Sequence, residues 1–328
     1  MNNHWSEYWQ QGHTTSFGEA LSGNYEGVLK NVWQPIFNSL PKGFLVVDVG
    51  TGNGSLPLLL RDELSASELT GRIFGVDLAE VNLISSPNQT SHNIDITLMS
   101  NTSSEQLPFE ASSVDLYISQ FGFEYSNVEQ SFNEAARVLK DDGQFVIVFH
   151  HSGSMILNRN RSILTLIAKE EVHLLINCLA KMANAMGSVN SQTDVERIKK
   201  DLQCENIRAE VNRLITSLVM FDEAATQDCG LMSFVAQFFK AGLFWPVTKK
   251  LEFIEFMAIQ MDTLKIRLTE LVNAAFDETK LATFVGKFHQ NDFMLNELKV
   301  LKSEQNEVLG WYLHASKLIY KIEKASIN

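Results

Sequence analysis

The residues whose types and spacing can carry chemistry gather in DVGTGNG, Asp48 to Gly54, with a second acid at Asp77 in GVDL. Glycines at 50, 52 and 54 leave the main chain bare, so a ligand can lie directly against the backbone. The preceding FLVV is strand-forming and the following SLPLLLRDELS is helical, with Pro57 tolerated in the first turn. That places the bare turn at a helix N-terminus, a setting suited to a nucleotide or nucleoside. A pyrophosphate-binding turn reads G-x-G-x-x-G, whereas here the spacing is G-x-G-x-G. Asp48 lies at the end of the first strand. Asp77 lies at the end of the next, where a carboxylate accepts both hydroxyls of a ribose. A buried aspartate at a strand end is costly without a ligand, which favours the ligand reading.

Elements of a particular kind must hold these residues. Apolar strands are expected at 44–49, 71–78, 96–100, 113–121 and 144–151, with a helix over 128–140 ended by a DDG turn at 141–143. Continuous apolar strands alternating with helices indicate a parallel sheet covered on both faces. From 152 to about 290 the pattern turns helical. Ile207, Val211, Leu214, Ile215 and Leu218 form one stripe, and Ile254, Met257, Met261, Leu264, Leu268 and Leu271 another. The segments 293–303 and 308–318 then read as a strand pair returning to the sheet. The expected organisation is an N-terminal helical lid over 1–42, a core over 43–151, a helical insertion over 152–290 and the terminal strand pair within 291–328.

Composition narrows the partners. The 328 residues are 45% apolar and 20% charged, as in ordinary globular chains. A net charge of −12 argues against nucleic-acid or anionic-membrane partners. Cys178, Cys204 and Cys229 are far apart without C-x-x-C spacing, so buried thiols are expected and no metal site. The N-terminus lacks the pattern of a signal peptide, and no apolar run has membrane-spanning length. A cytoplasmic location is the expectation.

DVGTGNG, GVDL, LPFEASSVDLYIS and AARVLKDDGQFVIV, in that order, resemble the class I S-adenosylmethionine-dependent methyltransferases. The resemblance covers 44–151 and extends to the terminal pair. It implies an α/β fold: a Rossmann-like seven-stranded methyltransferase sheet with helices on both faces, here with an α-helical insertion subdomain. It also implies S-adenosyl-L-methionine as cofactor. By position, Asp48 would orient the methionine ammonium through water, and Gly50, Thr51, Gly52, Asn53 and Gly54 would form the cofactor-facing turn. Asp77 and the adjacent Leu78 would serve the ribose side, with Gln120 and Phe121 at the end of the fourth strand. Relatives commonly carry Asp-Ala before LPF for the adenine amino group. SNTSSEQLPF has no acid there, leaving Asn101 and Thr102 (or Ser103) as neutral acceptors.

Ligands of open parallel sheets bind beyond the carboxyl ends of the strands, so SQFGFEYSN and HHSGS fall at the reaction centre. Glu124, Tyr125, His150 and His151 are the catalytic candidates, and at most one of the adjacent histidines faces the site if the strand is regular. Phe121, Phe123 and Tyr125 offer an aromatic wall to a sulfonium or an ordinary aromatic core. The N/D-P-P-Y/F signature of amino-methylating nucleic-acid enzymes is missing after the fourth strand. In the aromatic N-terminal segment, Tyr8, Trp9, His13, Thr15, Ser16, Phe17 and Tyr25 are the lid and substrate candidates. The helical insertion is open to three uses: capping the pocket, forming a homodimer, or gripping a carrier protein.

The leading expectation is methyl transfer to a small or medium organic acceptor. Two alternatives keep the same cofactor site. One is a cyclase, like azetidine-2-carboxylate synthases, that attacks another carbon of the sulfonium and releases methylthioadenosine. The other is a non-catalytic cofactor-binding scaffold.

Overall fold

The computed structural model describes residues 4–16, 24–83 and 93–318. Five parallel strands, β1 (Phe44–Val49), β2 (Gly71–Val76), β3 (Ile94–Met99), β4 (Val114–Gln120) and β5 (Leu139–Phe149), are joined by β6 (Phe293–Lys302) and β7 (Val308–Lys317). They form one seven-stranded sheet in the order β3-β2-β1-β4-β5-β7-β6, in which β7 runs antiparallel to both β5 and β6. The order reverses between β1 and β4, which opens a crevice at their carboxyl ends.

Alternation along each strand feeds two cores. Val46, Leu116, Ile118, Val146, Val148 and Tyr312 pack with α2 (Val28–Asn31), α3 (Gln34–Phe37) and α4 (Ser55–Glu63) through Leu29, Trp33, Phe37 and Leu60. Val47, Tyr117, Phe145, Ile147 and Leu313 face the other way. They meet α5 (Val128–Val138) and α13 (Glu278–Val285) through Phe132, Ala135 and Phe284. Asn127 caps α5, its side chain accepting from the Gln130 N–H at 3.2 Å. Before all of these stands α1 (His4–Gln10), whose Tyr8 and Trp9 are buried.

Two departures from the expected boundaries bear on the site. The DDG segment lies inside β5, which begins at Leu139, but residues 140–143 have no partner on β4 and form a tight bulge there, as the turn chemistry of DDG leads one to expect. Asp142 takes φ +62 inside it, a conformation aspartate tolerates, and the pairing with β4 shifts register between Val114 and Leu116. The irregularity is absorbed and the strand continues. β2 ends at Val76, so Asp77 lies just beyond the ladder and its carboxylate turns back toward the loop after β1.

The chain divides into two compact units, the described residues of Met1–Leu157 with Asn273–Asn328, and Asn158–Val272. The second is built from α6 (Met155–Ile167), α7 (Glu170–Met186), α8 (Gln192–Lys200), α9 (Leu202–Phe221), α10 (Glu223–Asp228), α11 (Leu231–Phe239) and α12 (Val247–Ala274). Its core includes Leu175, Leu179, Leu214, Leu218, Phe238 and Met257. Of the two sequence stripes, Val211, Leu214, Leu218, Ile254, Met257, Met261 and Leu268 are buried, and Ile207, Ile215 and Leu264 pack at the margin. The three cysteines are buried free thiols. No helix among the described residues is long and apolar enough to cross a membrane.

Candidate functional site

At the switch point the loops after β1 and β4 touch backbone to backbone. Gly50 (φ +64) leaves so little room that a Cβ there would sit 2.6 Å from the Gly122 Cα. Gly52 (φ +53) is covered by an aromatic ring, since a Cβ would lie 2.6 Å from the indole of Trp9. Gly54 (φ +85) forms the left-handed entry to α4. Only glycine meets both the dihedral and the space at the first two positions.

The polar atoms around this turn are unusual. Among the described residues seven buried side-chain nitrogens or oxygens lack a hydrogen-bond partner. Five of them belong here: Asp48 Oδ2, Thr51 Oγ1, Gln120 Nε2, Glu124 Oε2 and His150 Nδ1. These residues lie at, or just beyond, the carboxyl ends of β1, β4 and β5. Buried polar groups are nearly always paired in folded proteins, so such a concentration marks a place built for a polar ligand.

Burial sets the charge states. Asp48, 1% exposed, is pushed up to about 8 by desolvation, opposed by the nearby Thr51 hydroxyl and reinforced by the Asp77 charge. The Thr51 hydroxyl is close enough to favour the carboxylate but closes no hydrogen bond of good geometry. Asp77 is also raised by burial, while its oxygens accept 2.9 Å bonds from the Gly52 and Ala79 N–H groups. Glu124, on a short 3₁₀ turn (Phe123–Tyr125), accepts the His150 backbone N–H through Oε1 at 2.8 Å. Desolvation lifts it to about 7, with its backbone bonds and the Lys280 charge pulling down. Burial alone lowers His150 to about 3, so its imidazole is neutral.

The two histidines diverge. His150 stacks on Phe121, ring centroids 4.6 Å apart, with Nε2 3.3 Å from the Tyr125 hydroxyl. His151 stacks on Trp311 and accepts the Gly153 N–H through Nδ1 at 2.9 Å. Phe121 itself has φ +59, an outlier for a bulky residue, while its N–H bonds Val148 O at 2.8 Å. Phe123 packs with Tyr117, Phe145 and Phe284 in the core instead of facing the crevice. Gln120 accepts from the Trp33 indole N–H at 2.5 Å.

The N-terminal segment is tied to the glycine turn. The Asn53 amide donates to the Trp9 and His13 carbonyls, both at 2.9 Å, and accepts from the Asn82 N–H at 3.0 Å. Its side chain therefore clasps the segment. Ser55 donates to the Thr14 carbonyl, and Asn24 donates to Ser55 O at 2.7 Å. Tyr8 stacks on His13 and donates to the carbonyl of Thr15, which is buried. Ser16 is half-buried. The Tyr25 phenol is buried, close to the Gln120 amide and within electrostatic range of Asp48, Glu124 and Tyr8. Phe17 lies outside the described residues.

Toward β3, Leu78 is 67% exposed. Asn101 takes φ +53, and Thr102 bonds Asp77 O through its N–H and Ser100 O through its hydroxyl. No group of three metal-binding side chains occurs among the described residues. Trp5, Trp33 and Lys280 were not singled out by sequence. Trp5 stands one helical turn from Tyr8 and Trp9, and that spacing was the available signal. Trp33 and Lys280 reach the site from distant segments with no local signature.

Residues 47–147, which carry the bare glycine turn after β1 and the acid after β2, match the family model described as a methyltransferase domain. A malonyl-[acyl-carrier protein] O-methyltransferase of Geobacter sulfurreducens is 30% identical over 145 residues, 42% of this chain and 51% of its own length. The chain thus spans about half the length of that curated relative. Among solved structures, an S-adenosylmethionine-dependent methyltransferase from Methanococcus maripaludis is 12% identical, covering 98% of this chain and 97% of that one with a TM-score of 0.44. A Haloferax volcanii methyltransferase complex with the activator Trm112 is 26% identical, covering 36% of this chain and 52% of that one with a TM-score of 0.28.

Proposed function

We propose that this protein transfers a methyl group from S-adenosylmethionine to a small or medium organic acceptor. The observation that supports this most is the set of unpaired buried polar atoms ringing a glycine turn that no side chain larger than hydrogen fits. In this reading Asp48 Oδ2 answers the cofactor's ammonium, the main chain at Gly50 and Gly52 lies against its sugar, and Asp77 holds the ribose hydroxyls. Asn101 and Thr102 stand at the adenine end. The cofactor brings a methyl group already activated on a sulfonium. The chain's residues therefore have to align the acceptor, exclude water and take up a proton.

Exclusion of water falls to the N-terminal segment, with Trp9 over Gly52 and Tyr8 and Tyr25 beside it. Proton uptake falls to the residues after β4 and β5. His150, neutral and stacked, positions the Tyr125 hydroxyl, while His151 is turned to Trp311 and takes no part. The bacterial relative acts on a malonyl group held by a carrier protein. An anionic acyl acceptor of that kind is the competing substrate class.

Purified protein incubated with S-adenosylmethionine, with and without metabolite extract, tests the proposal by mass spectrometry of the sulfur product. S-adenosylhomocysteine formed only with extract is the expected result. Methylthioadenosine from the cofactor alone would replace the reading by cyclisation. Bound cofactor left intact with every fraction would replace it by binding without turnover.

A further inference from the structure

Glu124 is over-equipped for the bond it makes. It sits 3% exposed, and its Oε1 accepts the His150 N–H while Oε2 closes no hydrogen bond. A glutamine carbonyl would satisfy that N–H without burying a carboxylate, so the acid and its idle Oε2 call for a positively charged or proton-donating group. Asp48, at the end of β1, already answers one ammonium in the reading above. The charged and titratable groups facing Glu124 from neighbouring elements are His150, Tyr25 and Lys280. His150 is neutral. The phenol of Tyr25 is raised by burial, and Lys280 Nζ is committed to the Ala274 carbonyl at 2.7 Å while lying 4.3 Å from the Phe276 ring centroid. None of them forms an ion pair with Oε2.

An aromatic group begins at the residue after Glu124 and at the His150 whose N–H it accepts. Tyr125 meets His150 edge-on with centroids 6.0 Å apart, and Trp5 meets Tyr125 edge-on at 5.8 Å. Trp5 also packs on Tyr8 at 5.8 Å and Trp9 at 6.2 Å. A buried carboxylate next to a group of aromatic rings suits an organic cation and disfavours a second carboxylate.

We propose that the acceptor is an amine, bound by Glu124 within the Trp5, Tyr8 and Tyr125 aromatic group, with Glu124 as the base. This rests on the methyltransferase reading and names its substrate class. The ammonium form of the acceptor gives one proton to Glu124 Oε2, leaving a neutral amine. The nitrogen lone pair then forms the new N–C bond as the C–S bond breaks, its electron pair staying on sulfur. The methylated ammonium carries the positive charge away, and Glu124 later loses its proton to water.

Calorimetry on the protein saturated with S-adenosylhomocysteine tests this without turnover. The probes are benzyltrimethylammonium, its uncharged carbon isostere neopentylbenzene, and phenylacetate. The cation should bind at least about 10-fold tighter than the isostere, and phenylacetate should not bind. Glu124→Gln, which keeps the acceptor for the His150 N–H, should erase that preference while S-adenosylhomocysteine affinity is retained. Trp5→Leu should weaken the cation by several-fold. In turnover, benzylamine should yield S-adenosylhomocysteine, and benzyl alcohol and phenylacetate should not. Equal binding of cation and isostere, a preference for phenylacetate, or a preference surviving in Glu124→Gln would overturn the amine assignment and leave the cofactor reading standing. Failure of S-adenosylhomocysteine itself to bind would fell the cofactor reading instead.

Discussion

Replacing Asp48 by asparagine puts the crevice under a quantitative test. Its folded-state value near 8 against an ordinary 3.8 means that the folded chain holds a proton which the unfolded chain has released by neutral pH. For a carboxyl raised in this way, stability is full below the unfolded value and is lost as pH climbs toward the folded one. The interval from 3.8 to about 8 corresponds to at most about 6 kcal/mol, at about 1.36 kcal/mol per unit. Relaxation around the charge brings the expected cost to about 2–4 kcal/mol near pH 8. Asparagine has nearly the same shape and cannot ionise. The ligand-free Asp48→Asn variant should therefore be more stable than the parent by about that amount at about pH 8, with the gap shrinking toward about pH 5. In thermal melts this is a Tm difference of roughly 5–10 °C for a unit of this size. Under the proposed function, added S-adenosylmethionine should raise the parent's Tm and the variant's much less, because the variant lacks the charge assigned to the cofactor's ammonium. Melts of both proteins across that pH range, with and without cofactor, decide the matter. A gap that stays constant with pH, or equal cofactor-induced shifts, would refute the reasoning.

Further substitutions probe the rest of the site. Gly50→Ala forces a Cβ to within 2.6 Å of the Gly122 Cα at φ +64, so denaturant unfolding should show a loss of at least about 2 kcal/mol. Asp77→Ala should weaken S-adenosylmethionine by about 1.5–3 kcal/mol through lost charge-assisted hydrogen bonds, and unchanged calorimetric affinity would remove the ribose assignment. Asn53→Ala releases the carbonyls of Trp9 and His13. Hydrogen exchange should then quicken over residues 4–16 while the amides of β1, β4 and β5 keep their protection; uniform change across the sheet would show that the amide does more than clasp this segment.

The sheet could be read from sequence because its evidence is local. FLVVDV, GRIFGV and QFVIVF are apolar on both faces, as strands between two helical layers must be. Element boundaries were harder to read where a local turn sits within a longer strand. Asp141, Asp142 and Gly143 do turn, as a bulge without partners on β4, and the strand goes on paired from Gln144. The glycine turn and Asp77 were legible for the same local reason, since few arrangements need three glycines in five residues. What could not be read is contact across the chain. Nothing near Asn53 reveals that its amide spans back to Trp9 and His13. Nothing near Gln120 reveals the Trp33 indole 87 residues away. Whether Glu124 is buried beside His150 depends on how the ends of two parallel strands are staggered, which a sequence pattern does not encode.

The unpaired atoms of the crevice bear on the lifetime of the protein as well as its chemistry. A fold that leaves Asp48, Thr51, Gln120, Glu124 and His150 partly unanswered is weakest when empty, and any occupant adds stability by mass action, about 2.7 kcal/mol at a hundred times its Kd. Proteases that act on transiently opened chains would then remove the empty form first. If the proposed function holds, scarcity of the methyl donor would thin the population of the protein itself, so supply would set abundance together with rate.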